Sequence, residues 1–247
     1  MAIVSNVQVA SAGQADRPSN PDRVPALENG DRLSLAEFER RYTSMLDVKK
    51  AELIQGVVYM GSPVRHNEHG GPHLEIAGLL MIYKAHTPGV DAGDNSSVRI
   101  RPRSVLQPDL LLRLDAARGG QCVVAQDGYL EGAPELVFEI AASSVGIDST
   151  DKLNLYERGG TREYLIWRTE DRQIDCLIRL GERLMPYAFE DNNPNDIYKS
   201  AAFPGLWFDF KAILEGRLTD ALATLNAGIA SEEHRAFVNS FVKELAT

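Results

Sequence analysis

The order of apolar and polar positions predicts an alternation of helices and strands. Ser34-Leu-Ala-Glu37 has the spacing of a capping box and opens a helical stretch that reaches to about Leu46. Glu52 to Met60 contains two short runs rich in β-branched residues on either side of Gln55-Gly56. This pattern predicts a hairpin.

Longer apolar runs follow the hairpin. Pro72 is placed to start an apolar helix that includes Leu74 to Tyr83. Asp109 to Leu114 and Glu135 to Ala141 are almost continuously apolar, which is typical of strands buried on both faces. We therefore expect these two segments to be central strands of a sheet.

The second half of the chain continues the alternation. Thr150 to Arg158 is predicted to be a helix, which Gly159-Gly160 would end. Strands are predicted at Glu163 to Arg168 and at Gln173 to Leu180. Leu218 to Leu245 has the pattern of two helices, with Ser231 as the N-cap of the second. The whole pattern indicates an α/β protein.

The same pattern predicts one domain with extensions. Residues 1–30 have neither the basic nor the apolar region of a signal peptide, and their composition predicts a mobile N-terminal tail. Residues 31–215 would form the folded domain, and residues 216–247 a helical extension that packs on the core or at a dimer interface. No segment reaches the roughly 20 apolar residues that a membrane-spanning helix requires.

Charge and cysteine content narrow the function classes. The 247 residues include 26 Lys and Arg against 35 Asp and Glu, giving a formal net charge of -9. This is the wrong sign for attachment to nucleic acid by bulk charge, so such binding needs a local basic face. Cys122 and Cys176 are too few for a disulfide framework and lack zinc-ligand spacing. We expect a cytoplasmic protein without membrane contacts.

Two carboxylates interrupt the apolar strands. Asp109 directly follows Pro108, and Glu139 lies inside the apolar run that continues to Ala142. Burying a carboxylate is costly unless it is paired, hydrogen-bonded or bound to a metal. Each could lie at a strand end, bonded to an arginine or a backbone amide. If the two strands are adjacent, the carboxylates would instead form an oxygen site for Mg²⁺ or Mn²⁺.

A lysine follows the second of these strands. Asp148-Ser-Thr-Asp151 is typical of a helix N-terminus, which places Lys152 in the first turn. A lysine there could stabilise an attacking hydroxide or the charge that develops on a phosphate, or it could be a solvated surface residue. Tyr156 lies four residues later on the same helix face, where we expect it to pack.

Together these residues resemble the Uma2 (DUF820) proteins, a family of the PD-(D/E)XK nuclease superfamily. The similarity runs from about Glu52 to Arg172 and consists of several motifs in the family's order. The motifs are Glu52-Leu-Ile-Gln-Gly56, Met60-Gly-Ser-Pro63, Gln107-Pro-Asp109, Gly132-Ala-Pro-Glu-Leu-Val-Phe-Glu-Ile140, Asp151-Lys152, Tyr156 and Arg162-Glu-Tyr-Leu-Ile-Trp167.

The resemblance implies a fold and a set of metal ligands. The fold is a restriction-endonuclease-like core, with a mixed central sheet flanked by helices, to which this chain adds an N-terminal hairpin and a C-terminal helical extension. The implied ligands are Asp109, Glu139 and the carbonyl oxygen of Ile140.

The third motif position departs from the superfamily pattern. Ala141 stands where the superfamily has lysine. The Uma2-like pattern is similar in moving this lysine to the following helix, so the resemblance assigns its role to Lys152. Glu52 matches the family's early glutamate, which would either approach the metal or be an exposed hairpin residue.

Three histidines give a competing signal. His66, His69 and His73 have the spacing i, i+3 and i+7, which on one helix would offer three imidazoles to zinc. Gly70-Gly-Pro72 predicts that the helix starts only after His69, which argues against that site. A zinc hydrolase remains an alternative, and in the nuclease interpretation His69 contacts the substrate.

Arginines alternate along another predicted strand. Arg99, Arg101 and Arg103 share one face, which could follow a phosphate backbone with Arg101 as a substrate contact. Edge strands also carry such charges because they discourage pairing with other chains.

The sequence therefore favours a Mg²⁺-dependent (or Mn²⁺-dependent) endonuclease that hydrolyses phosphodiester bonds in nucleic acid, DNA rather than RNA. A catalytically degenerate binding or assembly protein with the same fold is the main alternative. The aromatic segment Phe203 to Phe210 and the apolar Leu218 to Leu245 region exceed the needs of one core. They predict a homodimer.

Overall fold

Two six-stranded sheets dominate the computed structural model, which describes residues 24–100, 102–142, 145–189 and 197–244. We call the first the outer sheet; its strand order is β2-β1-β5-β4-β8-β7. It is antiparallel except where β4 and β8 run parallel. Its strands are β1 (Ala51–Ile54), β2 (Val57–Met60), β4 (Val98–Ile100), β5 (Ser104–Leu106), β7 (Val123–Val124) and β8 (Leu130–Glu131).

The second sheet, which we call the central sheet, has the strand order β12-β11-β10-β9-β6-β3. Its inner strands β9 and β10 are parallel and all its other pairs are antiparallel, so the predicted mixed sheet is confirmed. Its strands are β3 (Val90–Asp94), β6 (Leu110–Leu114), β9 (Leu136–Ala141), β10 (Glu163–Arg168), β11 (Gln173–Leu180) and β12 (Arg183–Pro186). A separate hairpin pairs β13 (Ile197–Lys199) with β14 (Trp207–Asp209).

Helices cover both faces of the central sheet. Two π-helical turns, His66–Gly70 and Asp148–Lys152, lead directly into α2 and α4, and Ala116–Arg118 forms a 3-10 turn. The helices are α1 (Leu35–Ser44), α2 (Gly71–His86), α3 (Val145–Ile147), α4 (Leu153–Gly159), α5 (Phe210–Leu214), α6 (Leu218–Ile229) and α7 (Glu232–Glu244).

The local signals for α1 and the hairpin are confirmed. Ser34 is the N-cap of α1, and its Oγ accepts a hydrogen bond from the Glu37 amide. The Glu37 carboxylate binds arginines of the same helix, so only half of the predicted capping box forms. Gln55 and Gly56 both have positive φ (51° and 87°) and make the tight turn between β1 and β2.

Three apolar clusters hold the layers together. One face of β9 packs with α2 and the C-terminal helices, through residues such as Phe138 and Ile140. The other face, with Val137 and Ala141, packs against the outer sheet and α4. The third cluster joins α1 to the hairpin. Because β9 is buried on both faces, its continuous apolar pattern is explained.

The C-terminal aromatic segment is part of the protein's own core. Phe203, Phe208 and Phe210 are buried in the cluster that α6 and α7 complete with Leu225 and Phe241. The Ser231 hydroxyl accepts from the amide of His234 and so caps α7 as predicted. Intramolecular packing thus accounts for the apolar excess on which the predicted homodimer was based.

Two expectations about the outer regions were wrong. β4 lies between β5 and β8 rather than at an edge, and Arg99 is buried in ion pairs with Glu39 and Asp127. Leu27 is buried against the hairpin, so the folded region begins before residue 31. Residues 1–23 of the predicted tail and Arg101 lie outside the described residues. Within the described ranges no helix is long and apolar enough to cross a membrane.

Candidate active site

Two acidic side chains lie together on one face of the central sheet. Asp109 immediately precedes β6 and Glu139 lies within β9, and these strands are antiparallel neighbours. Side chains alternate between the faces of a strand, so Asp109 shares the face of Leu111 and Glu139 that of Val137. Leu111 and Val137 belong to the same apolar cluster. Both carboxylates therefore project toward the outer sheet.

The Asp109 carboxylate is stabilised as an anion. Its Oδ2 accepts a hydrogen bond from the Ile140 amide at 2.8 Å and lies 3.2 Å from His69 Nε2, while Oδ1 lies 2.9 Å from Lys50 Nζ. Burial alone would raise the pKa of this carboxyl. The contacts with His69 and Lys50 outweigh burial and hold the pKa of Asp109 well below its usual range.

Glu139 has the opposite electrostatic environment. Its Oε2 accepts a hydrogen bond from the Asp109 amide at 3.3 Å, and its Oε1 lies 3.2 Å from Lys152 Nζ. Burial raises the pKa of Glu139 well above its usual range; attraction from Lys152 opposes this, and repulsion from Asp148 and Asp109 adds to it. An additional cation beside Glu139 would favour its charged form.

Lys152 is enclosed by carboxylates. Its Nζ lies 3.1 Å from Glu52 Oε2, 3.2 Å from Glu139 Oε1 and 3.1 Å from Asp148 Oδ1, and its side chain is only 5% exposed. The π-helical turn brings Asp148, four residues earlier, onto the same side. Burial would lower the pKa of Lys152, but the three carboxylates raise it well above its usual value, so the ammonium stays charged.

Glu52 lies in the site and not on the surface. Its Oε1 accepts a hydrogen bond from the Gln107 amide at 2.7 Å, and its side chain is buried. The alternative of an exposed hairpin residue is therefore wrong. Gln107 Oε1 in turn accepts from the Ala51 amide at 3.1 Å, which ties β1 to the segment that leads into Asp109.

The three histidines follow one helical segment. His66 and His69 lie in the π-helical turn that leads into α2, which contains His73, so the expected break after His69 is wrong. The His69 and His73 rings stack with their centroids 5.7 Å apart. His73 Nε2 lies 3.1 Å from both the Asp109 carbonyl oxygen and Asp94 Oδ1.

These histidines do not form a zinc site. His66 is exposed, whereas His69 points to the Asp109 carboxylate. Among the residues that the structure describes, no three His, Cys, Asp or Glu side chains are arranged to hold a metal ion. The zinc hydrolase alternative therefore has no support from this geometry.

The acidic groups and their lysines line an open cleft of about 940 Å³. Its walls also include the loop 61–65 and the π-helical turn that contains His69. Lys49, Lys50 and Arg65 bring positive charge to this cleft, and Glu68 and Glu170 bring negative charge. The cleft therefore has a mixed local charge within an acidic protein.

The pair Asp109 and Glu139 fits a hard divalent cation such as Mg²⁺, which keeps several water ligands and needs only one or two protein carboxylates. Carboxylate oxygens are the preferred protein ligands of Mg²⁺ and Mn²⁺, and Asp109 and Glu139 offer them on the same side of the sheet. In this structure lysine ammonium groups take the positions of cations beside both carboxylates. Lys50 lies at the cleft, with its Nζ 2.9 Å from Asp109 Oδ1.

Sequence reasoning missed several residues of this cluster. Lys50 and Asn95 carry no motif, and their contact across 45 positions arises only from the fold. Asp148 had a usable signal, because it stands four residues before Lys152 on a helical turn. Tyr156 packs on Tyr164, with ring centroids 5.2 Å apart, as expected.

Comparisons with known proteins agree with the expected family and fold. The model of the Uma2 family, described as "putative restriction endonuclease", matches residues 35–211. A crystal structure from Anabaena variabilis ATCC 29413, described as a "putative nuclease belonging to DUF820", matches with 13% identity and a TM-score of 0.53. That match covers 78% of this chain and 99% of the other, and at this identity it shows the fold alone. No curated protein matches.

Proposed function

The chain belongs to the Uma2 family, and on this premise we propose that it is a metal-dependent endonuclease that hydrolyses phosphodiester bonds in DNA. One observation carries the proposal: the carboxylates of Asp109 and Glu139 lie on the same face of neighbouring strands, beside a buried lysine, in an open cleft. Two such carboxylates could hold an ion that assists hydrolysis.

We propose that Asp109 and Glu139 hold Mg²⁺ or Mn²⁺, with the Ile140 carbonyl oxygen as a further ligand. The ion would lower the pKa of a bound water and neutralise charge at the phosphate. The hydrogen bond from the Ile140 amide and the bond from the Asp109 amide to Glu139 fix the two carboxylates against each other. Such a fixed pair needs little rearrangement to bind an ion.

Lys152 has two roles in this proposal. Its ammonium contacts both Glu139 on β9 and Glu52 on β1, so it positions β9 relative to the hairpin. Its charge also favours a negative group next to Glu139, which is the role that the resemblance assigns to the lysine. Glu52 acts through Lys152 in this arrangement, because it has no contact with Asp109 in the described part of the site.

The substrate assignment rests on the family description and on the cleft. The family's description as a restriction endonuclease favours DNA. His69 extends from the π-helical turn at the cleft and is half-buried, so we propose that it contacts the nucleic acid. Arg101 remains a proposed backbone contact on sequence grounds alone.

Cleavage by purified protein tests the proposal. We expect cleavage of plasmid DNA with Mg²⁺ or Mn²⁺, none with EDTA, and none with the Asp109→Asn variant. RNA of similar length serves as the comparison substrate. Cleavage that persists in Asp109→Asn would contradict the assignment of the site, and binding of DNA without cleavage would favour the degenerate binding protein.

We keep the homodimer as a proposal for assembly, although the aromatic segment that suggested it is buried within the protomer. Light scattering tests it: a mass of twice 27.2 kDa supports a dimer, and 27.2 kDa refutes it. A cytoplasmic location is likewise a proposal, supported by the free, buried thiols of Cys122 and Cys176.

A further inference from the structure

We propose that Lys50 donates directly to a phosphate group of the nucleic acid substrate, whereas the three donors of Lys152 are directed at the acidic groups of the site. The inference rests on the proposed nuclease function. It assigns a contact at the same cleft to a residue that lies outside every motif of the sequence.

The position of Lys50 is fixed by the hairpin. Lys50 immediately precedes β1, and its carbonyl oxygen accepts a hydrogen bond from the Gly61 amide at 3.1 Å, just beyond the end of β2. A Cβ atom on Gly61 would lie only 3.1 Å from the Lys50 Cβ, so glycine makes room for the lysine stem here. The stem is therefore held on a rigid element next to the cleft.

The ammonium of Lys50 lies at the proposed ion ligand. Its Nζ is 2.9 Å from Asp109 Oδ1 and 3.4 Å from Asn95 Oδ1. A lysine side chain is ordinarily an ammonium ion at neutral pH, and here it forms an ion pair with the Asp109 carboxylate. Lys50 therefore carries a positive charge beside the carboxylate that we assign to the ion.

The two lysines differ in what their protons can still bind. An ammonium group has three donors. Lys152 has one carboxylate for each of them, from Glu52, Glu139 and Asp148, and is 5% exposed. Lys50 has two acceptors among the described residues, and its side chain is 31% exposed. Lys50 therefore has a donor and an open side for a group in the cleft.

The chemistry of that group follows from its surroundings. Lys50 lies at the cleft beside Asp109, one of the two residues that would hold the ion. The substrate phosphate would have to come close to these residues for hydrolysis. A phosphate oxygen is an anionic acceptor that suits the remaining donor of Lys50, and lysines commonly bind phosphates as point charges.

Binding measured without metal tests this contact separately from cleavage. The probe is fluorescein-labelled DNA of about 20 base pairs, titrated in EDTA between about 50 and 200 mM salt and followed by anisotropy. Removal of one phosphate contact should make the slope of log affinity against log salt shallower by about 0.9. We expect this change in Lys50→Gln, together with an affinity about tenfold lower.

Two variants serve as controls, one for the loss of net charge and one for the positive charge at position 50. Lys211→Gln removes the same charge from an exposed residue of α5, and it should retain the wild-type slope. Lys50→Arg keeps the charge and should restore most of the affinity. Melting temperatures of all variants show whether the fold is intact.

The outcomes separate the two proposals. If wild type binds and Lys50→Gln has the wild-type slope and affinity, the Lys50 contact is refuted, while Mg²⁺-dependent cleavage by wild type leaves the nuclease proposal standing. An equal change of slope and affinity in Lys211→Gln would also refute the Lys50 contact, because the change would then come from net charge. If wild type neither binds nor cleaves DNA, the proposed function fails, and the Lys50 contact fails with it.

Discussion

Glu139 and Glu163 are both buried in the two parallel strands of the central sheet, yet their partners differ. Glu163 begins β10 and accepts hydrogen bonds from the Ser200 hydroxyl at 2.6 Å and from the amides of Ala201 and Ala202 at 2.7 and 3.0 Å. These neutral donors belong to the protein's own backbone and side chains, and they tie the segment before β14 to the sheet.

Glu139 is instead bound by a lysine and lies beside other carboxylates. Burial raises the pKa of both glutamates, but only at Glu139 do neighbouring acids, Asp148 and Asp109, add to the increase. Repulsion of this kind is unfavourable for stability, and a cation relieves it. The partners of the buried carboxylates, and not burial itself, therefore distinguish the proposed ion site at Glu139 from the structural support at Glu163.

The largest expected effect is on cleavage by the ligand variants. Glu139→Gln and Asp109→Asn should each reduce Mg²⁺-dependent cleavage by much more than a hundredfold, because the neutral amides cannot replace anionic ligands. Glu163→Gln should cleave at nearly the wild-type rate per folded molecule. Cleavage rates measured on plasmid DNA check this contrast. An equal loss of cleavage in all three variants would show that Glu139 and Glu163 do not differ in function.

Removal of the bridging lysine should affect both activity and stability. Lys152→Met leaves three buried carboxylates without their shared cation, and breaking such a buried pair costs about 3–5 kcal/mol. Cleavage should also fall by about a hundredfold. Urea denaturation gives the free energy of unfolding, and calorimetry should show that Mn²⁺ still binds. Cleavage at the wild-type rate by a folded Lys152→Met protein would show that another group supplies the positive charge beside Glu139.

Much of the fold followed from the sequence, because local signals control it. The cap at Ser34, the turn at Gln55-Gly56 and the buried strand that contains Glu139 were all predictable from residue type and spacing. The pairing of Asp109 with Glu139 also followed, once the two apolar strands were taken as neighbours.

What could not be predicted depends on contacts between distant segments. The place of β4 inside the outer sheet is set by its pairing with β8, about thirty positions later, so the alternating arginines that begin with Arg99 gave a misleading edge signal. Lys50 meets Asp109 only because the hairpin packs beside β6. The π-helical turn at His66–Gly70 carries the helix through glycines that usually end one.

Metal ions should stabilise the folded protein at the acidic site. At about one hundred times the dissociation constant, an ion that binds only the folded state adds about 2.7 kcal/mol. We expect Mn²⁺ to raise the melting temperature of wild type and Glu163→Gln, and to leave that of Asp109→Asn unchanged. Thermal shift measurements at increasing Mn²⁺ test this, and an equal shift in Asp109→Asn would place the ion elsewhere.

The smallest expected effect is at the structural carboxylate. Glu163→Gln should lower the free energy of unfolding by about 1–3 kcal/mol, because an amide satisfies the fixed donors around Glu163 less well than a carboxylate. Urea denaturation measures the change, and Ser200→Ala, which removes one of the donors, is the matched control. A gain in stability would show that the cost of burying the Glu163 carboxylate outweighs these hydrogen bonds.

A crystal structure of the wild-type protein grown with Mn²⁺ would show whether Asp109 and Glu139 hold an ion. Anomalous scattering locates the ion without reference to activity. We expect a peak in contact with the carboxylates of Asp109 and Glu139. A peak at the histidines, or saturating Mn²⁺ with none between these carboxylates, would contradict it.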